Sequence, residues 1–523
     1  MSGITRRDFL LGGSGLLLLG CSETGSALPK GQLLGPDSSI GHRLRDGQFP
    51  PPSRELHKPV LIVGAGIAGL SCGWWLQRKG IADFSIVELE GAPGGNSRSG
   101  HNAVSAFPWG AHYLPLPGVD ATYVRLLLAE LGVLKGDITA TAPAYDEQML
   151  VQAPDERLFI HGGWQEGLLP RVGIGANAQA EIQRFEALMT QWSSRKGGDG
   201  RFVFTIPSAL GSADPEFLAL DKITFNTWLL QHNLVTPPLH WYVSYSLRDD
   251  FGVDQHQVSA WAGLHYFCCR RGLAANAEPQ TVLTSPQGNG WIVERLAQKL
   301  APQLASGQAV VRIEAGDKGV SADIFDAAAQ EVVRIHCQQL VWAAPLFVLP
   351  RVWGAMPRIA LPDYAPWLVA NLTLDAVDES EFTTWDNVIY QGQGLGYVDA
   401  THQQMSYRRP QRVLTYYHAL NNPDLRAARR QLLEASHESW SRLVFKDLQK
   451  AHPRLESQVR AIDLWRWPHA MAIPAPGFLT ALPQRQQSPH TRIHLAHSDL
   501  SGFSLFEEAQ YWGIEAAERV ISS

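Results

Sequence analysis

Residues 60–70 read VLIVGAGIAGL, four apolar residues of strand character running into glycines at 64, 66 and 69. Gly64 allows a tight turn, Gly66 lets a pyrophosphate approach the backbone with no side chain between, and Gly69 lets the following helix pack closely on the strand. Ala65, Ile67 and Ala68 fill the intervening positions, so the helix start presents free N–H groups and its positive end to the phosphates. Residues 71–80 continue that helix, and 84–87 form a second strand that ends at Glu88. This acid lies 24 residues after Gly64, close to the ~20 expected for the carboxylate that accepts hydrogen bonds from the adenosine ribose. Its charge disfavours a ribose phosphate. Strand, glycines, helix and acid in this order predict a βαβ unit that binds a dinucleotide.

The chain has 523 residues, more than one hydrophobic core usually serves, so two or more domains are expected. Apolar residues make up 45% and charged residues 18%, the balance of a well-cored globular protein. With a net charge of −6 and no basic stripe, nucleic acid is not an expected partner. Cys72, Cys268, Cys269 and Cys337 show neither a disulfide framework nor metal-ligand spacing, so no metal is assigned.

Residues 5–10, TRRDFL, precede an apolar run that ends at Gly20 and Cys21. Twin arginines before such a run predict export by the route that carries folded, cofactor-loaded proteins, and therefore a periplasmic location. The run is shorter than the ~20 residues needed to span a bilayer. Leu18, Leu19, Gly20 and Cys21 resemble a bacterial lipobox, which implies lipidation of Cys21 and membrane attachment; an ordinary signal peptide with an incidental cysteine is the alternative. Residues 1–21 are thus read as the export signal. Residues 22–57, rich in Gly, Pro and Ser, are read as a linker.

Residues 90–99, EGAPGGNSRS, carry a second glycine pair, and 107–113 read FPWGAHY. Here the chain resembles the flavin-containing amine oxidase superfamily, which includes monoamine and polyamine oxidases, protoporphyrinogen oxidases and phytoene desaturases. The resemblance extends over most of the remaining chain and implies FAD. It implies that Gly94, Gly95 and Arg98 line the pyrophosphate and flavin, and that Gly110, Ala111, His112 and Tyr113 pass the isoalloxazine ring. Asn96 stands where amine oxidases usually carry arginine, an arrangement closer to protoporphyrinogen oxidases. Val311, in the strand 309–313, is implied to set its backbone against the adenine. Near the end, the strand 491–496, Asp499, the turn Ser504, Leu505, Phe506 and a final helix match the family's terminal motif. There the acid holds the ribityl or phosphate part, and the helix N-terminus faces the flavin carbonyl.

Two further segments bear on chemistry. The run 367–374, WLVANLTL, resembles the place where many amine oxidases carry a lysine that helps reduced flavin react with oxygen, yet it holds Ala370 and Asn371. In 465–477, WRWPHAMAIPAPG, Trp465, Trp467 and His469 are pocket candidates. His240, Trp241, Tyr242 and Tyr245 are read as core.

The resulting expectation is an α/β protein with a discontinuous Rossmann-type FAD-binding domain (58–113, 284–345 and 490–523) and an inserted α+β substrate domain (114–283 and 346–489). Its expected activity is FAD-dependent removal of a hydride from a C–N bond of a small amine. The alternatives are a desaturase or protoporphyrinogen-oxidase-like dehydrogenase acting on an apolar substrate, and a flavin-bearing binding protein without turnover. The electron acceptor, the catalytic residues and the oligomeric state are left open.

Overall fold

The computed structural model describes residues 28–375, 384–404 and 410–523. The export signal and Cys21 lie outside the described residues.

The strand entering the glycine turn runs over Pro52–Val63, and only its last four residues are buried. Those four, Val60 to Val63, sit at the centre of a seven-stranded sheet. Phe84–Glu88 pairs with them in parallel on one side and Glu331–Trp342 on the other. Leu304–Ser306 extends the sheet in parallel beyond Phe84–Glu88, and Ile493–Leu495 pairs with the end of Glu331–Trp342. Burial on both faces by helices is what a continuous apolar run without alternation requires. The strands Gln308–Gly316 and Gly319–Asp326 join Glu331–Trp342 in an antiparallel meander. The helices Ile67–Arg78, Gly290–Lys299 and Phe506–Ser522 cover one face, sharing a core with Ile62, Ile86, Val341 and Ala496. A Cβ on Gly513 would meet the Ala68 carbonyl oxygen at 2.2 Å. The terminal helix therefore lies against the glycine-turn helix at backbone distance.

The second sheet has eight strands, in the order Leu33–Leu34, Val459–Ala472, Tyr364–Asp375, Gln411–Ala419, Tyr397–Asp399, Asp386–Ile389, Glu156–Ile160 and Gly163–Glu166. Its central strand, Tyr364–Asp375, is apolar on both faces. Leu368, Ala370 and Leu372 pack with Trp440 and Val444 of the helix His437–Leu448. Trp367 and Val369 point the other way, into a core with Val243 and Trp261 from the helices Pro237–Phe251 and Ala260–Cys268. Period-two alternation thus delivers Trp367 and Val369 to the side where the functional cleft lies.

Three expectations change. The described part of the 22–57 linker is structured: Leu33–Leu34 pairs with Leu464 and Trp465, Ser38–Asp46 is a helix capped by Asp37 and ended at Gly47 with φ 68°, and Pro52 opens the central strand. Leu33–Leu34 is held by backbone pairing to residues more than 400 positions away and Pro52 by pairing with Val332, so local patterning does not reveal them. Second, residues 114–283, where the sequence shows helical periodicity alternating with loops, also supply the strands Glu156–Ile160 and Gly163–Glu166, which complete the second sheet. Third, the boundaries at 113/114 and 283/284 cut through a strand pair, Tyr113–Pro115 with Val282–Thr284. Among the described residues, no helix is long and apolar enough to cross a membrane.

Candidate functional site

The dinucleotide cradle is built by backbone. Gly64 adopts φ 101°, the left-handed region that favours glycine, and its N–H donates to the Val87 carbonyl at 2.8 Å. A Cβ on Gly69 would lie 1.9 Å from the Gly64 carbonyl oxygen, whereas a Cβ on Gly66 would meet nothing within 4 Å. Gly69 is therefore required by the fold, while the space at Gly66 is free on the side where phosphates approach. Glu88 is buried and receives the Ala65 N–H at 2.7 Å and the Glu90 N–H at 3.0 Å. Burial raises its pKa; those two backbone bonds oppose the rise. Gly94 bridges to Gly66, and its N–H donates to the Ala65 carbonyl at 2.9 Å. The second glycine pair thus sits directly on the first loop.

Arg98 lies beside this cradle. Its guanidinium contacts Glu90 at 3.4 Å, donates to the Ala92 carbonyl at 2.7 Å and lies 5.2 Å from the Trp465 ring centroid; its Nε is buried without a partner. Val311 falls at a bulge in the Gln308–Gly316 strand and has no ladder partner on the neighbouring strand. Asp499 is fully buried. Its Oδ2 accepts from Leu346 N at 2.9 Å and from the Tyr364 hydroxyl at 2.6 Å, while Oδ1 is an orphaned buried acceptor. The terminal helix begins after Leu505 with no side-chain cap, so its first N–H groups are left for another acceptor.

Residues 110–113 and 504–506 converge on one cleft of about 120 Å³. Trp367, Val369, Tyr417 and Trp467 form its aromatic and apolar wall. His112 stacks on Tyr417 with centroids 4.5 Å apart, and burial lowers its pKa to about 3, which keeps the imidazole neutral. The Tyr417 hydroxyl donates to the Gly110 carbonyl at 3.0 Å, and Trp467 Nε1 donates to the Trp109 carbonyl at 2.6 Å. These bonds tie the wall to the 107–113 segment.

Of the three pocket candidates on Val459–Ala472, only Trp467 lines this cleft. Trp465 packs behind it, 5.3 Å from both Trp467 and Trp109. His469 is exposed and lies on Phe347 and Tyr364, at 4.7 and 6.0 Å. The three share a strand face by alternation, but the pairing with Tyr364–Asp375 is irregular between Ala365 and Trp367, opposite the stretch that holds His469, while Trp465 and Trp467 stay in continuous register. Asn371, on the same face of Tyr364–Asp375 as Trp367 and Val369, is buried, donating to the Pro108 carbonyl and accepting from Thr415. No lysine lines the cleft among the described residues.

The sequence reading missed the cleft's charged groups. Asp249, Asp250 and Glu507 line it together with the guanidinium of Arg270. Arg270 Nη2 donates to both oxygens of Asp250, at 2.9 and 3.0 Å. The Tyr113 hydroxyl donates to Asp249 Oδ2 at 3.3 Å. Burial, then the neighbouring Asp250, raises the Asp249 pKa to about 7, against the pull of Arg270 and Tyr113. Burial likewise lifts Glu507 to about 7. A signal was present in the chain: Asp249 and Asp250 occupy the last turn of Pro237–Phe251, where the helix dipole disfavours acids. Among the described residues no cluster of His, Cys, Asp or Glu is arranged to hold a metal.

These features fit FAD. The open face at Gly66, the unpartnered Oδ1 of Asp499 and the uncapped helix start at Leu505 are sites for phosphate, hydroxyl and carbonyl groups respectively.

Residues 62–131 match the family of NAD(P)-binding Rossmann-like domains. A curated protein of Haemophilus influenzae, named "Probable oxidoreductase OrdL", is 36% identical over 85 residues, which is 16% of this chain and 19% of that relative's length. The chain thus matches about a fifth of that protein. Putrescine oxidase, solved bound to putrescine, superposes with a TM-score of 0.66 at 14% identity, covering 90% of this chain and 100% of its own. Cyclohexylamine oxidase from Brevibacterium oxydans gives 0.61 at 16% identity over 89% of this chain and 99% of its own. A fatty acid isomerase from P. acnes gives 0.61 at 16% identity over 88% and 98%. The protein shares their fold, an α/β architecture with a discontinuous Rossmann-type domain.

Proposed function

We propose that the protein is an FAD-dependent oxidoreductase that removes a hydride from the C–N bond of an amine. The observation that carries this reading is the cleft: residues 110–113 and 504–506 meet there, aromatic rings line it, and its carboxylates outnumber its single guanidinium. Such a lining suits an organic cation. FAD, when bound, supplies the two-electron oxidant. Glu88 would hold the adenosine ribose, the loops at Gly66 and Gly94–Gly95 the pyrophosphate, and Asp499 a ribityl hydroxyl. The start of the terminal helix would place positive dipole beside the reacting ring, favouring the charge that develops there. The wall of Trp367, Tyr417 and Trp467 excludes water and orients the substrate's carbon chain.

The purified protein is expected to be yellow, and a panel of primary and secondary amines is expected to bleach it anaerobically. A colourless, flavin-free protein defeats the reading; bleaching by porphyrinogens or polyenes alone replaces it with a dehydrogenase of apolar substrates. We further propose twin-arginine export to the periplasm with Cys21 lipidated. Lipid label retained by Cys21→Ala would refute that anchor.

A further inference from the structure

Asp249 and Glu507, unlike Asp250, carry carboxylate oxygens with no hydrogen-bond partner among the described residues, and Asp249 is the less buried of the two. Asp250 is neutralised by Arg270, which spends the same nitrogen on both of its oxygens. Asp249 receives only the Tyr113 hydroxyl, on Oδ2, and its Oδ1 has no hydrogen-bond partner among the described residues. A second unpartnered acceptor lines the same cleft: Asn289 is 1% exposed, its Nδ2 donates to the Tyr113 carbonyl at 2.9 Å, and its Oδ1 is orphaned. The cleft therefore presents the unpartnered acceptors Asp249 Oδ1 and Asn289 Oδ1 and the unpartnered donors Trp367 Nε1 and Arg270 Nε, between walls of Trp367 and Tyr417.

We propose that Asp249 receives the substrate's ammonium group in this cleft and takes its proton, so that the neutral amine is the species oxidised. The inference rests on the amine reading above. The step is a proton transfer: an N–H bond of the ammonium breaks, an O–H bond forms on the carboxylate, and the nitrogen keeps its electron pair. A free alkylammonium holds its proton with a pKa of about 10 and an ordinary carboxyl of about 4. Desolvation moves the two toward one another, because it penalises both charged forms.

Several groups act on Asp249. Asp250 and Tyr245 come from its own helix, Arg270 and Tyr266 from the neighbouring segment, and Tyr113 from the strand beside it. Asp386 faces it from the Asp386–Ile389 strand, where it is paired opposite Glu156, and Tyr417 from Gln411–Ala419. Burial, then the neighbouring Asp250, raises the Asp249 pKa well above the ordinary carboxyl value, against the pull of Arg270 and of the Tyr113 hydrogen bond.

The test uses flavin-loaded protein and two probes. Benzyltrimethylammonium carries charge and an aromatic body but no N–H proton. Its binding, measured calorimetrically at pH 7 in buffers of different ionisation enthalpy, is expected to release about half a proton, because the cation drives Asp249 to the carboxylate. Asp249→Asn is expected to release markedly less, the remainder coming from Glu507, and to bind at least tenfold more weakly. With a primary amine under anaerobic conditions, flavin bleaching is expected to rise with pH through an acid limb near 7. Asp249→Asn would be about 100-fold slower and lose that limb; Asp249→Glu would restore it, and Tyr113→Phe would move it upward. Cation binding without proton release, or an unchanged limb in Asp249→Asn, overturns the proposal while leaving amine oxidation intact. Proton-coupled cation binding with no bleaching by any amine supports Asp249 as the cation's receiver and overturns the amine reading instead.

Discussion

Replacing Gly66 and Gly69 in turn by alanine separates cofactor binding from folding within one loop. At Gly66 the added methyl meets no protein atom within 4 Å, and the backbone, at φ −72° and ψ −176°, is open to any residue. Alanine is a poorer helix N-cap than glycine by somewhat under 1 kcal/mol, but it also removes about 0.4–1 kcal/mol of unfolded-state entropy. The two nearly cancel, so apo-protein stability should barely change. The methyl would occupy the approach to the phosphates, and losing one charge-assisted backbone bond, at about 1.5–3 kcal/mol, weakens FAD binding about 10- to 150-fold. At Gly69 the methyl would lie 1.9 Å from the Gly64 oxygen. The helix must then shift off the strand, with overpacking costs of about 1–3 kcal/mol before any cofactor is added. Thermal melting of the apo proteins and FAD titration by flavin fluorescence read the two effects separately. FAD affinity within twofold of wild type in Gly66→Ala would refute the assignment of this loop, as would an apo protein melting as low as Gly69→Ala.

Asp499→Asn can keep the Leu346 and Tyr364 bonds on its oxygen but places a donor where the orphaned Oδ1 stood. It should weaken FAD binding about tenfold or more, and unchanged affinity would remove Asp499 from the site. Gly513→Ala would bring a methyl 2.2 Å from the Ala68 oxygen and part the terminal helix from the glycine-turn helix; a melting temperature equal to wild type would contradict that packing. His112 has its folded-state pKa lowered by burial to about 3. Its contribution to stability is present above the unfolded value near 6.5 and is lost as pH falls from there toward 3. His112→Phe should flatten the acid side of the stability profile, by at most one proton's slope.

Some of this was legible because the chemistry is local. A strand, three glycines, a helix and an acid fit within residues 60–88, and each is set by backbone geometry that a short window records. The aromatic wall was legible only in part. Trp467 reaches the cleft, whereas Trp465, on the same face and in continuous register, is held behind it against Trp109, a contact only the tertiary structure supplies. Asp249 stood in a helix that reads as aromatic core. Its significance depends on Arg270 having been taken by Asp250, an arrangement between a helix and a later loop.

The sequence by itself determined the strand, glycine turn and helix at the end of the first buried strand, because the positive φ of Gly64 and the close approach at Gly69 require glycine. It also brought the distant segments 110–113 and 504–506 under suspicion. Tertiary structure alone decided that these segments meet at one aromatic cleft, that residues 28–57 are built into both sheets, and that Asp249 is left with an unpaired oxygen. These outcomes depend on long-range pairing and on the competition for one guanidinium, neither of which is encoded in any contiguous stretch of the chain.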